Sequence, residues 1–130
     1  MDSYLIGDVS GNSFKVFYGD MTYTNEDVQV MLDVDDVDGY GPETTKVFPI
    51  TRKGNYQFYV HDYSNGGELS SSEMSLSDAI VKVYLGQVLK HTISIPKNQI
   101  GTFWRVFDYD AATQTIKDNV LRSLQYKITP

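Results

Sequence analysis

Apolar side chains stand at every second position of the stretch Val28-Gln29-Val30-Met31-Leu32-Asp33-Val34, which then runs into an acidic turn. Side chains on a β-strand point to opposite faces in turn. Val30, Leu32 and Val34 are therefore predicted to share one face, while Asp33 and Asp35 share the other. The pattern predicts a β-strand that leads directly into a carboxylate-rich loop.

This loop and its approach carry five carboxylates before and just after a glycine-proline turn: Asp33, Asp35, Asp36, Asp38 and Glu43. Carboxylates about 4 Å apart repel by roughly 4 kcal/mol per pair at an effective dielectric near 20. A loop that gathers them therefore needs a cation. Oxygen-only ligands favour calcium over zinc or copper, which prefer nitrogen and sulfur. We predict a calcium site with these five residues as the ligand pool, of which not all need coordinate.

A solvated acidic turn is the alternative, and the sequence leaves both interpretations open. Asp and Gly are favoured in turns for backbone reasons alone. The spacing also differs from that of an EF-hand, because aligning Gly39 with its invariant glycine places Val34 and Thr45 at ligand positions.

The composition narrows the class of protein. A chain of 130 residues with 41% hydrophobic residues is expected to form one domain, spanning 1–130. A net charge of -6 argues against nucleic acid and anionic membranes as partners. Without cysteine there can be no disulfide or thiolate metal site. The sequence has no apolar run long enough to insert into a membrane and no recognisable signal peptide.

Short alternating stretches between turn residues recur along the whole chain. Examples are Phe14 to Tyr18, Thr44 to Ile50, Tyr56 to Asp62, Ile80 to Leu85, Val88 to Ile95 and Thr102 to Asp108. Gly86-Gln87 is typical of a tight hairpin turn. Short strands at regular spacing predict an all-β protein, a two-layer antiparallel β-sandwich with little or no helix.

Enzymatic motifs are missing from the sequence. It has no phosphate-binding loop, nucleophile elbow or His-Glu-x-x-His zinc motif. His61 and Asp62 are adjacent on a predicted strand and therefore point to opposite faces, which argues against a base and its orienting acid. Asp108-Tyr109-Asp110 is predicted to be a second acidic turn. We therefore expect a protein that is not an enzyme.

Aromatic residues are the candidates for ligand contacts. Trp104 alternates with Val106 and is predicted to lie in the core. Four tyrosines beside polar turns or on polar faces are instead expected to be exposed and to contact a ligand: Tyr40, Tyr59, Tyr63 and Tyr109.

Several stretches together resemble the YfaP-type bacterial β-sandwich module over nearly the whole chain. They are the acidic segment with its Tyr40-Gly41-Pro42-Glu43 motif, Tyr59 to Gly66, Val81 to Tyr84, and Gly101 to Asp108. The resemblance implies an accessory domain of a secreted, periplasmic or cell-surface protein, generally without an established activity.

The start of the chain departs from that family pattern. Members usually open with a strand that leads into Asp-Leu-Asp-x-His-Leu, to which Met1-Asp2-Ser3-Tyr4-Leu5 corresponds here. The first aspartate is missing and Tyr4 replaces the histidine. We expect a domain excised from a larger protein and lacking an opening strand, with Asp2 as an additional metal ligand.

The sequence is compatible with three functions. The leading hypothesis is a non-catalytic extracellular accessory module with a calcium-binding acidic loop. The alternatives are a carbohydrate-binding module, which would bind a glycan or another cell-surface ligand, and an adhesin or stalk spacer domain.

Overall fold

The computed structural model describes residues 2–34, 44–62, 72, 75–118 and 124. These residues contain ten β-strands and no helix. The strands are β1 Asp2–Val9, β2 Asn12–Val16, β3 Thr22–Thr24, β4 Val28–Val34, β5 Thr44–Pro49, β6 Asn55–His61, β7 Ile80–Leu85, β8 Val88–Ser94, β9 Phe103–Asp110 and β10 Thr115–Asp118. Within these ranges no helix is long and apolar enough to cross a membrane.

The ten strands form three antiparallel sheets. The largest has the order β10-β9-β6-β1-β2, the second has the order β3-β4-β5, and the third is the β7-β8 hairpin. The hairpin turns at Gly86-Gln87, as the sequence predicted. The prediction of an all-β protein of packed antiparallel sheets is confirmed.

Two apolar clusters fill the space between the sheets. In the first, Leu5 and Phe14 of the large sheet meet Val30 of β4. In the second, Trp104 of β9 meets Val83 of β7. Phe58, in the middle of β6, packs against both clusters. The three-stranded sheet and the hairpin therefore lie side by side on one face of the large sheet, and together they form the second layer of a β-sandwich.

The positions of the two small sheets follow from these contacts. Sheet β3-β4-β5 covers β1 and β2, whereas the β7-β8 hairpin covers β9, and His91 of β8 reaches Asp118 of β10. Strand β6, at the centre of the large sheet, lies beneath the boundary between them.

Strand β3 was not predicted, since residues 21–27 look polar and turn-like in the sequence. Thr22–Thr24 is extended because it pairs with β4, where Tyr23 lies opposite Val30. Asn25 then turns the chain, with its side-chain oxygen accepting bonds from the backbone N–H groups of Asp27 and Val28. The sequence also predicts a short strand at 124–128 and a helical turn at 118–124, and both lie largely outside the described residues.

Candidate functional site: a cleft in the second layer

An open cleft separates the two halves of the second layer. Strand β5 pairs only with β4 among the described strands, and β7 pairs only with β8. All six residues of β5 and all six of β7 line the cleft. Because alternate side chains of a strand point to opposite faces, a strand that lines a cleft with consecutive residues presents its backbone edge. The walls of the cleft are therefore two strand edges.

Apolar residues of the large sheet form the floor of this cleft. Phe58 and Val60 of β6 and Phe107 of β9 line it and are half-buried. Trp104 also lines it but is only 2% exposed, so its ring belongs to the core, as predicted. The cleft has a volume of about 1110 Å³, which is slightly larger than most small-molecule sites.

The rims of the cleft combine cations with exposed apolar side chains. Lys46 is exposed on β5, and Lys82 is exposed on β7. Three large apolar residues of the same two strands are about half exposed: Phe48 at 49%, Ile80 at 57% and Tyr84 at 53%. Exposed apolar side chains along two strand edges are typical of a binding surface.

The beginning of β1 also lies at the cleft. Asp2 and Ser3 line it together with Thr44 and Thr45. The Ser3 and Thr45 hydroxyl oxygens are 3.4 Å apart, which joins the large sheet to β5. Asp2, predicted as an additional metal ligand, therefore lies on β1, which contacts β5. Strand β5 begins directly after the acidic segment.

The other predicted metal ligands are only partly described. Asp33 belongs to β4, where the pairing with β5 shifts register between Leu32 and Val34. The side chain of Asp33 lies outside the described part of the structure. Asp35, Asp36, Asp38 and Glu43 lie outside the described residues. In the described part of the chain, no three His, Asp or Glu side chains come together as a metal site.

Of the four tyrosines predicted to be exposed ligand contacts, the structure describes two. Tyr109 lines the cleft and is half-buried, with its ring 6.2 Å from that of Tyr56. Tyr59 was wrongly expected to be exposed, because its side chain is 0% exposed on the opposite face of the large sheet. Its hydroxyl donates to Gln57 Oε1 at 3.4 Å. Tyr40 and Tyr63 lie outside the described residues.

The face of the large sheet opposite the cleft carries an aromatic and charged group. The His61 ring stacks on Phe103 with centroids 4.0 Å apart and meets Tyr4 edge-on at 5.8 Å. Burial lowers the pKa of His61, although Asp2 and Asp62 oppose this shift. A buried, stacked imidazole of this kind fits a structural role for His61.

Asp108-Tyr109-Asp110 is not a second acidic turn, contrary to our prediction. All three residues belong to β9, and only Asp110 reaches the turn, where its Oδ1 accepts bonds from the backbone N–H groups of Ala112 and Thr113. Asp108 instead binds Arg105. The strand continues because β9 pairs with both β6 and β10 up to Asp110.

The sequence analysis did not identify the cleft or the pairing of His91 with Asp118. His91 Nδ1 and Asp118 Oδ2 lie 3.7 Å apart, although the two residues are far apart in sequence. No local pattern indicates such a contact. The alternation of β5 and β7 did predict two strands, but it could not show that their edges would face each other across a gap.

Comparison with known proteins leaves the family unassigned. No family model matches the chain, and neither curated proteins nor solved structures contain a significant match. The resemblance to YfaP-type modules therefore stays a prediction.

Proposed function

We propose that the protein is a non-catalytic β-sandwich accessory module that holds a ligand in the cleft between β5 and β7. The observation that carries this proposal is the cleft itself, about 1110 Å³ in volume, with an apolar floor at Phe58 and Phe107. An apolar concave site with a few polar groups at its rim is the usual form of a binding site. As for such modules in general, we place the protein outside the cell or at its surface.

An apolar dye tests whether the cleft accepts a ligand. We expect anilinonaphthalene sulfonate to bind the folded protein at a single saturable site, because such dyes fluoresce on accessible apolar surface. Val81 lies on β7 and lines the cleft, so the Val81→Arg variant should abolish the dye fluorescence. Thr22→Arg, on the exposed side of β3, is the matched control and should leave it unchanged.

Two further measurements keep this test decisive. Near-ultraviolet circular dichroism must show that each variant retains its tertiary packing, because a loosened protein also binds the dye. Amide chemical shifts of the unmodified protein should change at β5, β7 and the floor when the dye is added. Dye-induced shifts confined to other surfaces would contradict the proposed site.

A carbohydrate ligand is the second candidate, and Tyr109 favours it. Its half-buried ring and that of Phe107 line the cleft, where they could stack on a sugar. Calorimetry against cell-wall and plant oligosaccharides would test this candidate. Binding that is lost in Tyr109→Ala and kept in Tyr18→Ala, which changes an exposed tyrosine outside the cleft lining, would support it.

We further propose that the acidic segment binds calcium, with Asp33, Asp35, Asp36, Asp38, Glu43 and Asp2 as the ligand pool. The position of Asp2 supports this proposal. Its neighbour Ser3 contacts Thr45 of β5, and β5 begins directly after the acidic segment. A cation bound only by the folded state raises the melting temperature by mass action. An identical melting temperature with calcium and with chelator would exclude the site.

Asp2→Asn separates the contribution of the chain start from that of the loop. If Asp2 is a ligand, the variant should need more calcium for the same rise in melting temperature. Asp8→Asn, an exposed residue near the other end of β1, is the control and should respond as the unmodified protein does.

A further inference from the structure

The β7-β8 hairpin belongs to a basic stretch of an acidic protein. Residues 79–107 contain four Lys or Arg side chains and no Asp or Glu, although the whole chain has 17 acidic residues against 11 basic ones. Two of the four, Lys82 and Lys90, lie on the hairpin and are exposed. The net charge of -6, which argues against an anionic membrane for the chain as a whole, is therefore unevenly distributed.

The turn of this hairpin carries apolar side chains into solvent. Val88 and Leu89 are 57% and 47% exposed, and neither lines the cleft. Leu89 lies opposite Tyr84, which is also exposed. A Cβ on Gly86 would meet no described atom beyond its chain neighbours within 4 Å, so the turn projects from the sheet. Val88 and Leu89 thus form an apolar hairpin tip, with Lys90 directly behind it.

A second exposed apolar side chain follows β5. Ile50 is 63% exposed and also lies outside the cleft lining. Its backbone N–H donates to Asp27 O at 2.7 Å, which fixes the turn after β5 against the start of β4. Arg52 and Lys53 come next in this turn and are exposed. Like the hairpin tip, the turn combines an apolar side chain with cations.

Strands β1, β5 and β9 begin at the same end of the sandwich, here called the upper end. Asp2 and Phe103, the first residues of β1 and β9, both lie opposite His61 of β6. Thr45, near the start of β5, contacts Ser3. The turn after β5 therefore lies at the opposite, lower end.

The hairpin tip lies at the lower end as well. Ser75 Oγ donates to Pro96 O at 2.6 Å and accepts from the Gln99 N–H at 3.1 Å, so the chain turns closely between β8 and β9. Strand β8 therefore ends near the start of β9, at the upper end, and its turn with β7 lies at the lower end. Turns 50–54 and 86–87 both belong to the described residues.

We infer that the lower end docks on a phospholipid bilayer. Val88, Leu89 and Ile50 would enter the interface, while Lys90 and Arg52 would meet lipid phosphates. Exposed apolar side chains mark interaction surfaces, and long cationic side chains beside them reach the headgroups while the apolar groups leave water. The two apolar sites belong to different sheets, and a fluid surface accepts separate tips. None of these five residues lines the cleft, so the docking is independent of the ligand proposed there.

The two turns should respond differently to lipid charge. Asp27 lies beside the turn after β5, so the cations of that turn have an acidic neighbour. The stretch 79–107 has none in sequence, and Asp118, which reaches the hairpin from β10, pairs with His91. We therefore expect Lys90 to contribute most of the attraction to anionic lipid.

Co-sedimentation of the full chain with vesicles tests this inference. We expect binding to phosphatidylcholine vesicles, and several-fold tighter binding when part of the lipid is phosphatidylglycerol. Val88→Gln and Leu89→Gln should each weaken binding several-fold, and the double variant roughly tenfold or more, because less apolar surface leaves water. Leu76→Gln is the matched control and should change little, since Leu76 is 69% exposed beside Ser75 at the upper end.

Two results of this experiment would overturn the inference. One is the absence of binding to either kind of vesicle. The other is equal binding by the unmodified protein and the double variant. Near-ultraviolet circular dichroism should be the same for all variants, because the substituted side chains are exposed.

A fluorophore shows whether the hairpin tip enters the lipid. The chain has no cysteine, so Leu89→Cys provides a single labelling site. The emission of an environment-sensitive label there should shift to the blue with vesicles and should be quenched by brominated lipid. The same label on Leu76→Cys should stay in water. Unchanged emission at Leu89→Cys in the presence of bound vesicles would contradict insertion.

Charge removal tests the role of the cations. Lys90→Gln should reduce the preference for phosphatidylglycerol, and this effect should vanish at high salt. Arg52→Gln should have a smaller effect, because Asp27 lies nearby. Binding that high salt abolishes and that the Val88 and Leu89 substitutions leave unchanged would show adsorption by charge alone, which would refute insertion.

Sedimentation velocity without lipid separates lipid docking from self-association. We expect the unmodified protein and Leu89→Gln to sediment alike. A concentration-dependent dimer that Leu89→Gln disrupts would assign the hairpin tip to a contact between copies and would overturn lipid docking. Failure of vesicle binding would leave the ligand site in the cleft intact, because dye binding there depends on Val81 and the cleft floor.

Discussion

Arg105 Nη2 donates to Asp108 Oδ2 at 2.7 Å, although a regular strand would place these two side chains on opposite faces. The pairing of β9 with β6 explains the contact. Tyr59 lies opposite Arg105 while Phe58 lies opposite Phe107, which leaves Val106 as an extra residue. This β-bulge restores Arg105 and Asp108 to one face, where Arg105 Nε also donates to Asp108 Oδ1 at 3.0 Å.

Removing the Asp108 charge should destabilise the protein. Arg105 is 7% exposed. Burial disfavours its charge, but the two hydrogen bonds that it donates to Asp108 hold its pKa above the usual value. Asp108→Asn removes the negative charge that pairs with this buried cation, and we expect a loss of about 2 to 3 kcal/mol in urea unfolding at neutral pH.

Asp8→Asn controls for the change in net charge. Asp8 is exposed on β1, so its replacement should alter the free energy of unfolding by no more than about 0.5 kcal/mol. Similar effects of the two substitutions would show that the Arg105 pair contributes little.

Trp104 should report on the packing of the second core cluster. It is the single tryptophan of the chain and is 2% exposed. Its fluorescence should be blue-shifted and poorly quenched by acrylamide in the folded protein, and both properties should change together on unfolding. Trp104→Phe should cost about 1 to 3 kcal/mol, because the smaller ring leaves a cavity. Emission typical of solvated indole in the folded protein would contradict this placement.

Gly54→Ala should be much more costly than Gly11→Ala. Both glycines have positive φ, +109° at Gly54 and +81° at Gly11. A Cβ at Gly54 would lie 2.5 Å from Val9 Cγ2 and 3.1 Å from the backbone oxygen of Asp8, whereas a Cβ at Gly11 meets nothing within 4 Å. We expect a loss of about 2 to 4 kcal/mol at Gly54 and about 1 kcal/mol at Gly11.

A double substitution identifies the clash as the cause. Val9→Ala removes the methyl group that the new Cβ would meet, so its effect should be smaller in the Gly54→Ala background than alone. Strictly additive effects would refute the contact.

Stability should fall in alkaline solution partly because of Tyr56. Burial, with smaller effects from Tyr109 and Asp27, raises the pKa of Tyr56 to about 12. An unfolded tyrosine loses its proton near pH 10, so between pH 10 and 12 the folded state holds more protons than the unfolded state. Stability from this group is therefore full below pH 10 and is lost as the pH rises toward 12.

Tyr56→Phe should flatten this part of the alkaline decline. The substitution also removes a bond from the Tyr56 hydroxyl to Lys53 O at 3.2 Å, which lowers stability at neutral pH by about 1 kcal/mol. Tyr84→Phe, at an exposed position, should leave the pH profile unchanged. Equal slopes in all three proteins between pH 10 and 12 would be inconsistent with a raised pKa.

Local patterns predicted most of the fold from the sequence. Alternation along β4, β6 and β7 identified strands, Gly86-Gln87 identified a hairpin, and the apolar neighbours of Trp104 placed it in the core. These predictions are correct because side-chain alternation and turn geometry depend on residues close together in the chain. The choice of Tyr109 as a ligand contact stays a prediction.

Only the tertiary structure decided how the strands meet. Tyr59 is buried on the face of β6 opposite the cleft, where the Arg105 guanidinium lies 6.0 Å from its ring centre, and Arg105 reaches Asp108 because pairing with β6 creates a bulge in β9. The cleft exists because β5 and β7 belong to separate sheets laid over one larger sheet. Strand pairing and layer packing join residues that are distant in the chain, so a single sequence determines the strands more directly than the space between them.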